Sequence, residues 1–254
     1  MGRHYGSDYD QSVTAAGMDT SRWSGRCSVL QKYKSAGAIL DLGCSAGGFL
    51  AGLDRSSWKL YGVEMSERAA RQARARCGAQ IFVGDILDAP FEPASFEAIT
   101  CFHVFEHVYK PKEVLARISE WLKPDGIFYV MMPNIDSAGY RIFKSYWYAL
   151  ELPRHLLHFS PASLRRLASS LNLEVVSLTT HREVFIESSI RYIWDDMLRK
   201  IGISRTPLSR TPVPGVPFRA ARKMFRVTAL PMLNGLASLA GDGESIHAIF
   251  RKPG

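Results

Sequence analysis

Three acidic residues stand where short apolar runs give way to turns: Asp41 in AILDLGCSAGGFL, Glu64 in KLYGVE and Asp85 in VGDI. Behind Asp41 comes a stretch of small residues, Gly43, Ser45, Ala46, Gly47 and Gly48, then the apolar pair Phe49 and Leu50, which can open a helix. Small residues let a ligand approach the backbone, and glycine adopts positive φ without steric cost. A carboxylate at such a turn repels a pyrophosphate and attracts a cation, so the pattern favours a cationic ligand over a dinucleotide. A second group of residues suits proton transfer. FHVFEHV holds His103 and His107, with Glu106 between them to orient either one, and an imidazole of ordinary pKa, about 6.5, accepts a proton near neutrality. LPRHLLHFSP adds Arg154, which can pair with an anionic group, His155 as another base, and His158. His107 reads equally well as a tie at a helix start, and His158 as a structural residue before a helix.

These residues need a scaffold that brings them to one edge. Residues 59–64, 80–83, 98–102 and 127–132 read as short strands, and 66–77 and 111–122 as helices between them, the second opening at Pro111 and closing in KPDG. A further helix over 160–170, with Ser160 as N-cap, and a strand over 173–179 follow. Strands alternating with helices favour a parallel sheet covered on both faces. Ligands bind such sheets at the carboxyl ends of the strands, where Glu64 can accept both ribose hydroxyls and Asp85 can bind an adenine amino group. A surface acid is the plain alternative at either site alone; three acids at successive strand ends weaken it.

The composition, 46% hydrophobic and 22% charged, is that of a globular protein. No stretch at the start resembles a signal peptide and no uncharged apolar run reaches the roughly 18 residues of a membrane span, so a cytoplasmic location is expected. Cys27, Cys44, Cys77 and Cys101 show no CxxC spacing, and neither zinc nor a redox pair is expected. The formal charge of +8 lies mostly in the last quarter, where residues 187–254 carry eleven Lys and Arg against five Asp and Glu. No nucleic-acid-binding motif accompanies it, which points to a local anionic partner such as a membrane face or a phosphorylated substrate.

The last strand-like run is 245–250, and the long gap before it calls for an inserted element divided by Pro207, Pro212, Pro214 and Pro217. Within it Arg219, Arg222, Lys223 and Arg226 share one helical face, and the uncharged stretch 227–241 follows. A basic helix beside an apolar segment suits an anionic membrane surface; packing on the domain or a homodimer contact is the alternative. The aromatic segment 140–148 reads as a helix over the substrate mouth or as core, and Tyr5 and Tyr9 as residues that close over the ligand.

DLGCSAGG, VEMSE, VGDIL, FHVFEHV and LKPDG, in this order and spacing, resemble the successive motifs of class I S-adenosylmethionine-dependent methyltransferases, over roughly residues 38–134. PRHLLHFSP extends the likeness to the type 11 and type 23 small-molecule groups, among which are the ubiquinone-biosynthesis O-methyltransferases. The resemblance implies an α/β, Rossmann-like, doubly wound seven-stranded sheet, mostly parallel with an antiparallel last strand. It divides the chain into a methyltransferase domain, 1–186 and 243–254, and a helical insertion, 187–242, acting as lid, membrane-surface or dimer element. It implies S-adenosylmethionine as cofactor and S-adenosylhomocysteine as product, with no metal and no nucleic acid. By the resemblance Asp41 and Gly43 lie under the methionine part, Glu64 binds the ribose and Asp85 with Ile86 holds adenine, and Ser45, Met65 and Phe102 complete the cofactor-binding set. His103 and His155 are the candidate catalytic bases, and Arg154 and His107 the candidate substrate-binding residues. The acceptor expected is a small molecule, hydrophobic, lipid-linked or saccharide, methylated on oxygen. Ser45 departs from the glycine of many members. A catalytically silent cofactor-binding protein and a dinucleotide oxidoreductase are the rival readings; the latter would want a glycine where Ser45 stands.

Overall fold

The run AILDL forms β1 (Gly37–Leu42), and its last four residues are all buried, as a strand with neighbours on both sides requires. The computed structural model describes residues 21–183, 185–200 and 243–254. Helix α1 (Ser21–Gln31) precedes β1; β2 (Trp58–Glu64), α2 (Glu67–Cys77), β3 (Gln80–Val83), β4 (Phe96–Phe102), α3 (Pro111–Trp121) and β5 (Leu122–Pro133) follow. Then come α4 (Ala138–Phe143), α5 (Pro161–Ser169), β6 (Glu174–His181), α6 (Phe185–Lys200) and β7 (Ser245–Arg251). The strands form one seven-stranded sheet in the order β3-β2-β1-β4-β5-β7-β6, with β7 antiparallel. Reciprocal bonds, Asp125 N–H to Lys252 O and Lys252 N–H to Gly126 O, each 2.9 Å, tie the start of β5 to the end of β7.

The chain moves outward from β1 to β2 and β3 on one side, and to β4 and β5 on the other. Strand order therefore reverses between β1 and β4, and such a point opens a crevice at the carboxyl ends of the strands. The register there sets Asp41 beside Gly62 of β2 and Thr100 of β4. Helix α2 is built for the face it covers: Ala69, Ala70, Ala73 and Cys77 are buried, the Ser66 hydroxyl accepts from the Ala69 N–H, and Gly78 closes the end in a left-handed conformation. Helix α3 opens on Pro111, where the missing N–H costs nothing, and buries Val114, Leu115, Ile118 and Trp121.

Three sequence expectations change in detail. After the glycine turn, Phe49 and Leu50 open only a single 3₁₀ turn, Leu50–Gly52. LKPDG belongs to β5 and not to the preceding helix, with Asp125 turning at φ 59°. The aromatic stretch is a short α4 followed by two 3₁₀ turns, Lys144–Tyr146 and Tyr148–Leu150, because Lys144 leaves the helix at φ 50°. Of the expected insertion, α6 supplies 187–200; 201–242, which contain the prolines, the basic face and the uncharged stretch, and Tyr5 and Tyr9 lie outside the described residues.

The chain divides into two units, residues 1–132, 161–179 and 247–254 forming the first and 133–160 and 180–246 the second. The first holds the core packed around β1, including Ile39, Phe49, Leu50, Trp58, Ala98 and Tyr129. In the second, Trp147 is buried against Tyr140 and Phe185, and its indole N–H donates to Glu244 at 3.3 Å. Glu244 also accepts from the Phe185 N–H at 3.4 Å, at the first residue of α6. Gly139 is required there: a Cβ on it would come within 2.1 Å of the Glu244 carboxylate.

Burial pushes the Glu244 carboxyl up to about 7; the Trp147 and Phe185 donors oppose the rise and Glu183 adds to it. A carboxyl whose folded pKa exceeds its unfolded one holds its proton better in the native state. Its contribution to stability is full below about 4.5 and vanishes as pH rises through about 7. The thermal midpoint should accordingly fall across this window, and Glu244→Gln should flatten part of the fall. An unchanged slope in the variant would show that Glu244 does not titrate there.

Candidate active site

Asp41 is 4% exposed on β1, an interior strand, and its Oδ1 accepts a 2.7 Å hydrogen bond from the Thr100 hydroxyl. Residues paired across parallel strands point to the same face, which is how the β1–β4 register makes this contact. Burial raises the Asp41 carboxyl to about 7; the Thr100 hydroxyl and the Arg26 guanidinium lower it, and Glu64 raises it further. A cation placed beside it would restore its charge at neutral pH.

Glu64 ends β2 with 3% exposure. Its Oε2 accepts from the Ser45 N–H at 2.9 Å and its Oε1 from the Ser66 N–H at 2.8 Å. Those two donors fix the carboxylate plane at the end of β2. The same contact orders the glycine turn, since Ser45 belongs to it, and the N-cap of α2, since Ser66 is that cap. The turn is tight. Gly43 lies at φ 69°, where a Cβ would meet the Val104 side chain at 2.3 Å. Ser45 is held at φ 51°, a conformation that glycine adopts without strain and serine does not.

Asp85 follows β3 and bonds inward, its Oδ1 accepting from the Leu87 N–H at 3.0 Å to cap a 3₁₀ turn whose first residue, Ile86, is buried. The Gly84 N–H donates to the Glu64 carbonyl at 3.1 Å, tying this turn to the end of β2. Met65, beyond Glu64, is partly buried. Phe102, the last residue of β4, sits edge-on to Phe49 and to Tyr129, both at 5.0 Å.

His103 follows at φ 57°, fixed by its N–H to the Met131 carbonyl at 2.9 Å. The N–H groups of Val104 and Phe105 reach the buried Cys101 thiol, and a 3₁₀ turn, Phe105–His107, completes the loop. Glu106 is buried, its Oε1 3.6 Å from the Nδ1 of His103, whose side chain is 31% exposed. His107 N–H donates to the Val104 carbonyl at 2.9 Å.

Asp41, Gly43, Ser45, Glu64, Met65, Asp85, Ile86, Phe102, His103 and His107 are thus brought together by the carboxyl ends of β1 to β4 in the first unit. Arg154 and His155 belong to the second, where both engage the same acid. Arg154 donates to Glu151 Oε1, while His155 places Nδ1 2.7 Å from the Ala149 carbonyl and Nε2 3.2 Å from Glu151 Oε2. Both ring nitrogens of His155 thus face oxygens of the same loop. His158 Nε2 lies 3.1 Å from the Leu150 carbonyl in the same loop.

Sequence reasoning passed over two residues. Thr100 carries no signal beyond its place in a strand; only the register sets it on Asp41. Arg26 stacks over Trp23 at 4.7 Å and over Phe102 at 4.8 Å from the ring centroids, and is the cation acting on Asp41. The spacing of Trp23 and Arg26 on one helical face was the available hint.

A family model described as a methyltransferase domain matches residues 16–178. The chain is 27% identical over 159 residues to a ubiquinone biosynthesis O-methyltransferase of Azoarcus sp. strain BH72, covering 56% of this chain and 66% of that one. It spans two thirds or less of the length of the curated relatives it matches. A SAM-dependent methyltransferase from Thermotoga maritima superimposes with a TM-score of 0.59 at 17% identity, over 98% of this chain and 97% of the other. Phosphoethanolamine N-methyltransferase 2 of Haemonchus contortus, in complex with S-adenosyl-L-methionine, gives 0.58 at 16% identity, over 91% and 53%. These two likenesses bear on the fold.

The left-handed Ser45 carries a testable cost. Ser45→Gly should raise stability by about 0.5–1 kcal/mol, the relieved strain exceeding the entropy that glycine adds to the unfolded chain. Glu64 keeps its bond to the residue 45 N–H, so ligand affinity should hold. A lower thermal midpoint for the variant would show that the serine side chain contributes more than its strain costs.

Proposed function

Because the chain belongs to the methyltransferase-domain family, we propose that it transfers the methyl group of S-adenosylmethionine to an oxygen of a hydrophobic, lipid-linked or saccharide small molecule. The observation that carries this reading is the pair of buried carboxylates, Asp41 and Glu64, at the ends of adjacent strands around a turn of small residues. Buried acids repel phosphate and suit a ligand with positive charge and vicinal hydroxyls, so the residues fit this cofactor. When bound, it supplies a methyl group activated on a sulfonium.

The chain's own residues bind and align. Glu64, its plane set by two N–H donors, takes the ribose hydroxyls, with Met65 beside it. Asp85 and Ile86 hold the adenine, Asp41, Gly43 and Ser45 lie under the methionine part, and Phe102 walls the site. Holding the acceptor in line with the methyl group supplies on the order of 7 kcal/mol or more of the barrier. His103, partly exposed beyond the end of β4, is the base for an acceptor hydroxyl, and His107 of the same loop binds the acceptor. The oxygen acceptor is supported by the O-methyltransferase relative. The insertion 187–242, opened by α6, serves as the lid or membrane-surface element, 219–241 meeting anionic lipid, with a homodimer contact as the alternative.

Two measurements check the reading. Isothermal titration with S-adenosylmethionine should show affinity rising with pH up to about 7 and then levelling, as Asp41 becomes charged. Asp41→Asn should flatten that dependence and weaken binding about tenfold, roughly 1.4 kcal/mol; pH-independent binding by the wild type would remove Asp41 from the cofactor site. Incubation with methyl-labelled cofactor and extract fractions, followed by mass spectrometry, should label a small hydrophobic or saccharide product. His103→Ala should lower that transfer at least a hundredfold with binding retained. Binding without transfer to any fraction would instead support a silent cofactor-binding protein.

A further inference from the structure

His103 and Glu106 face each other across the loop that closes β4, and their environments differ sharply. The Glu106 side chain is 2% exposed and that of His103 is 31% exposed, with Glu106 Oε1 3.6 Å from Nδ1 of the imidazole. His103 has little freedom to turn away, because its backbone stands at φ 57° and is fastened to the Met131 carbonyl at 2.9 Å. A non-glycine residue in that region stores strain that the surrounding structure must hold, a pattern found where a side chain is aimed for use. The rest of the loop supplies the hold: the Val104 side chain occupies the space beside Gly43, and the Val104 and Phe105 N–H groups meet the Cys101 thiol.

We propose that Glu106 is a positioning residue for His103, keeping the imidazole proton on Nδ1 so that Nε2 carries the lone pair toward the open side of the site. Once ionised, a carboxylate accepts and cannot donate, and at 3.6 Å, an ion-pair distance longer than a hydrogen bond, its charge favours the hydrogen on the nitrogen that faces it. In neutral imidazole the other nitrogen is then the acceptor, and the hydrogen bond made by one nitrogen decides what the other can do. Nε2 is thereby the nitrogen able to take a proton from an acceptor hydroxyl. Glu106 touches neither substrate nor cofactor in this role; it acts through His103. The inference rests on the reading of His103 as the base, but the tautomer is a property of the free protein and can be measured without any acceptor.

Two-dimensional proton–nitrogen spectra of protein labelled in its histidines, taken at alkaline pH, report which ring nitrogen of His103 is protonated. The wild type should show His103 protonated on Nδ1, and Glu106→Gln should shift a large fraction to the other tautomer while S-adenosylmethionine binding stays within twofold. Glu106→Asp, which keeps the charge, should restore the Nδ1-protonated form at least in part. A wild-type His103 protonated on Nε2 overturns the proposal without any variant, which keeps it falsifiable should Glu106→Gln not fold. A Glu106→Gln protein that changes only the His107 signals overturns it as well. If the tautomer shifts as expected but His103→Gln retains methyl transfer, Glu106 stands as the positioning residue and the assignment of His103 as base fails.

Discussion

A carboxylate sits inside this sheet, on β1, between β2 and β4. Moving an ionised group out of water is costly unless it is paired or hydrogen-bonded, and Asp41 has been given the Thr100 hydroxyl at 2.7 Å and the field of Arg26. Those partners leave its carboxyl raised to about 7, so burial outweighs them in the free protein. The carboxyl is therefore under-compensated, and a cation placed beside it would favour its charged form. Both partners come from elements other than β1, and the strand register and the docking of α1 serve the charge as much as the core.

The turn after β1 answers to the same demand. Backbone must pass close to the ligand, and space is taken on the far side by Val104, which excludes a Cβ at residue 43. Glu64 then fastens the turn through the Ser45 N–H and fastens α2 through the Ser66 N–H. One carboxylate thus joins three elements before any ligand arrives, and loss of Glu64 would disorder the turn as well as remove a ligand contact. Ser45 and His103, left-handed without being glycine, mark the two places where geometry at the site takes precedence over local preference.

Much of the first unit was legible in the sequence. β2, β3, β6 and β7 lie within a residue or two of their expected positions, and Ser66, Pro111 and Gly78 mark helix ends by chemistry that acts locally. The acids at strand ends were legible for a related reason: a parallel strand leads its next residue toward the ligand edge. The misreadings fall where local rules lose to context. A helix was expected from Phe49, yet the chain there makes one 3₁₀ turn ending at Gly52 before Asp54 and Ser56 turn it toward β2. LKPDG, with its proline and glycine, looks like a helix stop, but the β7 end recruits it into β5 by pairing at Lys252.

The sequence by itself determined the order of elements, the glycine turn, and the identity of the acids and histidines that follow the strands, because hydrophobic period, caps and turn residues act over a few positions. Only the tertiary structure decided which of them share a site and in what state. Thr100 reaches Asp41 across 59 positions of chain because two strands pair in one register, and Arg26 reaches it because α1 packs over Phe102. His155 and His103 look alike in the sequence, yet His155 is set between Glu151 and the Ala149 carbonyl while His103 stands opposite Glu106. Charge state and hydrogen-bond direction depend on neighbours distant in sequence, and no local pattern encodes them.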